Sequence, residues 1–116
     1  MAISGLTDTH IEALHTRKHE FNLYFPLDEF NFEKDRMKAL FIEDMSAKIK
    51  EYFLKSFPNS IVNVSVGPID DVDFEMDVIN DDKHDLEVEY INDFIDRFWE
   101  DEYGDFVDEF GNYFAD

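Results

Sequence analysis

Two regularly spaced sets of carboxylates in the second half of the chain could bind cationic groups. The first set alternates with apolar residues, and the second recurs at spacings of 4, 4, 3 and 4. The candidate partner-binding residues are Asp71, Asp73, Glu75 and Asp77 in the first set, and Asp85, Glu89, Asp93, Asp96 and Glu100 in the second. Ionised carboxylates accept charge-assisted hydrogen bonds from Lys and Arg, as phosphate oxygens do. We therefore interpret each of these residues as a phosphate stand-in for a cationic partner.

The negative charge of the chain is regional. Between Asp70 and Glu109 there are 18 acidic residues and only two basic ones. Residues 1–55 carry 8 basic and 10 acidic residues, whereas residues 56–116 carry 2 basic and 19 acidic residues. An acidic surface that served only solubility or salt adaptation would be spread over the chain. Because a net charge of −19 is repelled by nucleic acids and by anionic membranes, we expect a basic protein partner and direct binding to neither.

The spacing of these acids approaches that of a nucleic-acid backbone. Acids three or four residues apart on a helix are separated by about 5 to 6 Å, and alternate residues of a strand by about 6.6 Å. One strand of B-DNA has a charge about every 3.4 Å of its axis. Two neighbouring acidic rows, one on a strand and one on a helix, would together approach that density. Like charges at such spacings cost about 0.2 to 0.5 kcal/mol per pair, which indicates that function maintains them.

In charge balance, size and lack of cysteine, the chain resembles the DNA-mimic inhibitors carried by bacteriophages and mobile elements, which include anti-restriction and anti-CRISPR proteins. The resemblance covers residues 70–109 and lies in composition and spacing. It implies an inhibitor that occupies the DNA-binding surface of a host defence nuclease or another basic nucleic-acid-binding protein, in the host cytoplasm. It names no particular target, because phosphate contacts are independent of base sequence.

An immunity protein or antitoxin that plugs a basic nuclease toxin would show the same acidic surface. Such a plug would need a few aromatic anchors at the centre of the acidic patch, because binding energy concentrates in buried aromatic residues. Tyr90, Trp99 and Tyr103 are the candidates. We expect a core role for each, so DNA mimicry is the first hypothesis.

The motifs expected of an enzyme are missing, so we expect a binding protein without a cofactor. Asp71, Asp73, Glu75 and Asp77 have the spacing of a calcium-binding loop, but Met76 stands where an EF-hand requires Gly. A restriction-nuclease-like site would need Lys two residues after Glu75, where the sequence has Asp77. The sequence has no Ser/His/Asp order and no phosphate-cradling Gly loop.

His15 and His19 lie four residues apart, with Glu12 one helical turn earlier, so the three could share a helix face. The order HTRKHE does not match the zinc-protease pattern HExxH, and no further ligand cluster is evident. We therefore predict a solvated or capping pair of histidines and no metal site. The absence of Cys excludes disulfides and thiolate metal sites.

The first half of the sequence predicts two helices around one strand. The predicted elements are a helix over residues 7–19, a strand over 21–25 and a long amphipathic helix over 32–57. Thr7 or Asp8 is a suitable N-cap for the first helix. The polar face of the long helix offers opposite-charge pairs at i, i+4, such as Asp44 with Lys48.

The second half predicts a hairpin followed by acidic helices. The predicted elements are strands over residues 60–66 and 71–79, a helix over 85–102, and a short helix after an interruption at Gly104. The turn residues Gly67 and Pro68 suggest that the two strands pair with each other. In the second strand the apolar residues face one way and the acids the other. Residues 85–90 could instead form a third strand.

Together these patterns predict a single α+β domain over residues 1–116. An antiparallel β-hairpin or three-stranded sheet would pack against the long helix, with the acidic helices at the C-terminal end. A composition of 44% apolar residues, with 13 Phe, is enough for one core. Because no run of 18 apolar residues and no leader-like start occurs, we expect a soluble, cytoplasmic protein. A homodimer would lengthen the acidic surface, but no sequence feature predicts one.

Overall fold

The computed structural model describes residues 5–28 and 30–114, which form an α+β fold. In chain order the elements are α1 (Asp8–Thr16), β1 (Glu20–Phe25), α2 (Asp35–Ser56), β2 (Ile61–Val66), β3 (Asp71–Glu75), α3 (His84–Arg97) and α4 (Tyr103–Glu109). A 3₁₀ turn (Asp81–Lys83) precedes α3, a π-helical turn (Phe98–Glu102) joins α3 to α4, and another 3₁₀ turn (Gly111–Tyr113) follows α4. Residues 85–90 are therefore helical, and the alternative of a third strand there is wrong.

α1 begins at a capping box and ends earlier than predicted. Thr7 is the N-cap: its Oγ1 accepts the His10 backbone N–H at 3.3 Å, and the His10 Nδ1 accepts the Thr7 N–H at 3.4 Å. The helix ends at Thr16, after which Arg17 has extended backbone. His19 consequently lies outside the helix and does not share a helix face with the histidine four residues before it.

The three strands form a mixed sheet in the order β2-β1-β3, so the predicted pairing of β2 with β3 as a hairpin is wrong. β1 pairs in parallel with β2 and antiparallel with β3. β1 is the central strand and the most deeply buried one. Its residues Phe21, Leu23 and Phe25 are almost fully inaccessible to solvent. α2 is the crossover that the parallel pairing of β1 and β2 requires.

The link from β2 to β3 passes the end of β1 instead of turning back. Gly67 donates its N–H to the Phe25 carbonyl at 3.0 Å, so it still pairs with β1. A Cβ at Gly67 would lie only 2.8 Å from the Cβ of Tyr24. The glycine therefore allows the backbone after β2 to lie against the Tyr24 side chain. The same residue in a tight hairpin turn would have looked identical in the sequence.

The core lies between one face of the sheet and the helices α2 and α3, and it is largely aromatic. Residues of α2 at successive four-residue spacings are fully buried: Phe41, Met45, Ile49 and Phe53. The Phe53 ring lies 5.3 Å from the Phe94 ring and 5.1 Å from the Phe98 ring, in edge-to-face contacts. Such pairs add about 0.5 to 1.5 kcal/mol each beyond area burial. The prediction that α2 is the scaffold helix is confirmed.

The chain is helical from His84 to Glu109, so the predicted interruption at Gly104 is wrong. In the π-helical turn the Tyr103 N–H donates to the Phe98 carbonyl, five residues earlier. The extra residue in that turn lets both Phe98 and Phe106 reach the core, where each is buried. Gly104 is exposed, and its helix penalty of about 1 kcal/mol is smaller than the burial of these two rings contributes.

Lys48 joins α2 to the end of α4, and the predicted pair of Lys48 with Asp44 is wrong. The Lys48 Nζ lies 3.2 Å from a Glu109 carboxylate oxygen and 5.4 Å from the centre of the Phe106 ring. Asp44 instead accepts a hydrogen bond from the Tyr113 hydroxyl. The polar side of α2 therefore holds the C-terminal helices in place.

Candidate partner-binding surface

The acids of β3 lie on its solvent side, as predicted. Asp71, Asp73 and Glu75 are exposed, whereas Val72 and Phe74 between them are half-buried against the core. The strand ends at Glu75, so the prediction of a strand to residue 79 extends too far. Asp77 follows the strand and is also exposed, but the alternation then fails, because Val78 is 43% exposed.

The second set of acids forms an exposed stripe along α3 and the π-helical turn. Asp85, Glu89, Asp96 and Glu100 are exposed, and Asp93 is half-exposed. The opposite side of the helix is buried through Ile91, Ile95 and Phe98. Asp93 pairs with Arg97 at 3.1 Å, but both side chains are about half exposed, and such pairs contribute about 0.2 to 1 kcal/mol. In the described part of the chain, the other four stripe residues form no salt bridge.

An open cleft of about 420 Å³ lies between the start of β3 and the helix α3, and acids from both segments line it. Its lining residues are Asp70, Asp71, Val72, Asn92, Ile95, Asp96, Trp99 and Glu100. We call it the acidic cleft. It has four carboxylates, and neither Lys nor Arg is among its lining residues. Two acidic rows that are more than twenty residues apart in sequence therefore meet in one concave site.

The structure brings only part of the predicted set together. Asp71, Asp96 and Glu100 meet in the acidic cleft. Glu75 and Asp77 line a separate depression of about 430 Å³, beside Lys18 and Glu20. The remaining predicted residues lie on neither lining: Asp73 on the open face of the sheet, and Asp85, Glu89 and Asp93 further along the helix.

Asp70 was missing from the predicted set, although it lines the acidic cleft. It precedes β3 and so falls outside the alternating pattern that identified the other acids. Asn92 was missing too, because it is uncharged. Both residues could have been identified if β3 had been predicted as an edge strand beside α3. The prediction of a β2–β3 hairpin did not indicate that position.

Of the three candidate aromatic anchors, Trp99 is the one that lines the acidic cleft. It is partly buried and packs edge-on against Phe98 and Tyr103, each at a ring-centre distance of 4.9 Å. The hydroxyl of Tyr90 is 2.7 Å from the His15 Nε2, which ties that side chain to α1. Burial raises the pKa of Tyr90, and the charge of Arg97 offsets part of that rise.

His15 and His19 each bond a carbonyl in the last turn of a helix, so the prediction of a capping pair is confirmed and the alternative of a solvated pair is wrong. The His15 Nδ1 donates to the Ser56 carbonyl at 2.8 Å, and its ring stacks on Phe57 at 4.7 Å. The His19 ring is 1% exposed: Nε2 donates to the Leu14 carbonyl at 2.6 Å, and Nδ1 accepts the Asp77 N–H at 3.0 Å. Residues 5–28 and 30–114 contain no group of three His, Asp or Glu residues arranged to hold a metal ion.

Comparison with known protein families, with curated proteins and with solved structures finds no match. Within the described residues, no helix combines the length and the apolar character needed to cross a bilayer.

Proposed function

We propose that this chain is a DNA-mimic inhibitor that binds the basic DNA-binding surface of a nucleic-acid-binding protein and blocks access of nucleic acid. The observation that carries the proposal is the acidic cleft, where carboxylates from β3 and α3 converge without a neutralising cation on the lining. Each carboxylate takes the place of a phosphate and accepts charge-assisted hydrogen bonds from Lys or Arg of the partner.

The energetics of the surface support a functional role. Like-charged residues along the stripe repel each other, and only Asp93 has a basic neighbour within salt-bridge distance among the described residues. Glu87, by contrast, is buried, and its carboxylate accepts the Asn80 N–H at 3.3 Å, so this acid supports the fold. Asp85, Glu89, Asp96 and Glu100 are exposed and form no salt bridge among the described residues, so partner binding accounts best for their presence.

The resemblance to phage and mobile-element inhibitors supports the choice of partner. On this proposal the partner is a host defence nuclease, such as a restriction or CRISPR effector, and the inhibitor acts stoichiometrically in the host cytoplasm. It catalyses no reaction and needs no cofactor. Complementary charge would speed association, and the shape of the cleft and its rim would select the target.

A pull-down from host lysate at low salt, followed by competition with duplex DNA, tests the proposal. We expect DNA to displace the captured partner, because both ligands use the same cationic groups. The triple variant Asp71→Asn, Asp96→Asn, Glu100→Gln should lose binding. A matched triple variant at exposed acids outside the cleft, Glu33→Gln, Asp35→Asn and Glu43→Gln, should retain it. Equal loss from both variants would mean that total charge, not the cleft, governs binding.

Trp99 favours a second candidate, an immunity protein or antitoxin that plugs a basic nuclease toxin. The ring lies among the four carboxylates of the cleft, where a plug would place an aromatic anchor. Under this alternative, Trp99→Ala should weaken binding more than neutralising any single carboxylate. A ternary complex of partner, DNA and this protein would exclude direct DNA mimicry and leave the plug.

A further inference from the structure

The two edges of the sheet are protected unequally. β3 carries an acid at every second residue, and charged side chains are a common way to keep an edge strand from pairing with another chain. β2, the other edge, has the sequence IVNVSV, with neither charge nor proline. Its Ile61 and Val66 are 42% and 41% exposed. An uncharged, β-branched edge of this kind is a template for strand addition.

The backbone of β2 has pairing groups that point away from the sheet. Ile61 donates its N–H to the His19 carbonyl at 2.9 Å, and Gly67 donates to the Phe25 carbonyl, so odd-numbered residues pair with β1. By the two-residue period of a strand, the N–H and C=O groups of Val62, Val64 and Val66 face the free edge. In the described chain no strand lies there. An open cleft of about 350 Å³ separates this edge from α2, with Ala47 and Lys50 on its far side.

We propose that β2 pairs antiparallel with β2 of a second copy, which joins two three-stranded sheets into one of six strands across a two-fold axis. In a register centred on Val64, residues of similar polarity lie opposite each other on both faces of the joined sheet. It sets Val62 opposite the second copy's Val66 on the core side, and Asn63 opposite the second copy's Ser65 on the open side. It also covers Val66, which is exposed in the single chain.

The helix beside β2 is self-complementary in the way a two-fold interface requires. One face of α2 carries Leu40, Glu43, Ala47, Lys50 and Leu54, at spacings of three and four. When two copies of α2 run antiparallel with Ala47 nearest the axis, residues equally far on either side of it face each other. Leu40, which is 38% exposed, then faces the second copy's Leu54, and Lys50 lies one residue from the level of the second copy's Glu43.

Charge decides that a second copy docks here and not elsewhere. Two chains of net charge −19 repel each other most across the acidic cleft and the stripe. β2 itself carries no charged residue, α2 lies almost entirely in the half of the sequence with nearly balanced charge, and Lys50 lines the cleft between them. The dimer therefore leaves both acidic clefts free, at opposite ends of the sheet. Five strand spacings separate the two β3 strands by about 24 Å.

Sedimentation velocity of the intact chain over a concentration series at physiological salt tests the proposal. We expect a monomer–dimer equilibrium that Ser65→Lys and Ala47→Glu each shift to monomer, because both residues are exposed and lie beside the axis. The control Asn92→Lys, in the acidic cleft, should keep the dimer. Circular dichroism and urea unfolding establish that the variants are folded. A wild-type chain that stays monomeric throughout, or a dimer that survives both substitutions, overturns the proposal.

Cross-linking provides an independent readout that does not disturb the interface with charge. Because the chain has no cysteine, Ala47→Cys introduces a single thiol, beside the proposed axis. A short bismaleimide should convert this variant to covalent dimer much faster than the exposed control Asn92→Cys. Equal rates for the two variants would count against an interface at β2. The outcome does not depend on the identity of the partner of the acidic cleft, so the two proposals fail separately.

Discussion

The imidazole of His19 joins three segments of the chain at one buried point. Its two ring nitrogens bond the Leu14 carbonyl and the Asp77 N–H, and its backbone N–H donates to the Ser60 hydroxyl at 3.0 Å. The His19 ring thus fixes the end of α1 and the segment after β3 relative to β1. Removing the ring would leave the buried Leu14 carbonyl and the half-buried Asp77 N–H without these partners and would open a cavity, and each effect costs stability.

We expect His19→Ala to lower the free energy of unfolding by about 2 to 4 kcal/mol. Urea unfolding of the variant and the wild type measures the difference. The neighbouring substitution Lys18→Ala, at an exposed side chain, should change it by less than about 0.5 kcal/mol. A loss below about 1 kcal/mol for His19→Ala would mean that water replaces both bonds.

Tyr52 gives the fold a dependence on alkaline pH. Burial raises the pKa of Tyr52 above its ordinary value of 10.0, and the carboxylates of Glu102 and Asp101 raise it further. The folded state therefore holds the phenolic proton more tightly than the unfolded state does. This contribution is fully present below pH 10 and is lost as the pH rises through the folded pKa.

Tyr52→Phe should accordingly reduce the loss of stability between pH 9 and pH 11, which urea midpoints across that range would show. Lysine deprotonation near pH ~10.4 acts on both proteins alike, so the difference between them isolates Tyr52. Identical pH profiles for variant and wild type would assign the alkaline instability to other groups.

At the scale of elements, repulsion among the acids of the stripe on α3 lowers the stability of the fold. The like-charged pairs 85/89, 89/93, 93/96 and 96/100 should cost about 1 to 2 kcal/mol together at low salt. Changing the five acids to Asn and Gln keeps their shapes and removes that repulsion. It also removes the Asp93–Arg97 pair and the favourable position of Asp85 in the first helical turn, and both offset part of the gain.

We therefore expect the five-fold variant to unfold at the same or higher urea concentration than the wild type while losing partner binding. Urea midpoints in low and high salt, beside a binding titration, measure both quantities. Destabilisation by more than about 2 kcal/mol would show that these carboxylates support the fold, and the partner surface would then lie elsewhere.

Sequence periodicity predicted properties that depend on a single element, but it did not predict how the elements pair with one another. The spacing of Phe41, Met45 and Ile49 sufficed for α2, and the alternation along β3 placed its acids outside, because both patterns depend on one segment. The strand order depends on which strand buries most, and no local pattern reports it. The inclusion of Asp70 and Trp99 in one cleft with the acids of α3 follows from that order, so it was missed as well.

At the scale of the whole molecule, the two halves of the sequence supply different elements and carry different charge. The first half supplies α1, β1 and the scaffold helix α2, with nearly balanced charge, and the second half supplies the acidic rows of β3 and α3. The molecule measures 51 × 23 × 22 Å. Its long axis corresponds to about 15 phosphates of one DNA strand at 3.4 Å each. The concentration of acids in the second half of the sequence means that charge should influence folding and the proposed partner binding in opposite directions.

Added NaCl should therefore stabilise the fold and weaken partner binding over the same range. The screening length falls from about 10 Å at 0.1 M to about 3 Å at 1 M, so repulsion among the acids of the folded chain declines, as does their attraction for a basic partner. We expect the urea midpoint to rise with salt while the association rate with the partner falls. In the five-fold variant of the α3 stripe both slopes should be shallower, because fewer like charges remain to be screened. A urea midpoint that falls with salt in the wild type would show that attractive ion pairs, such as Lys48 with Glu109, dominate the electrostatics of this fold.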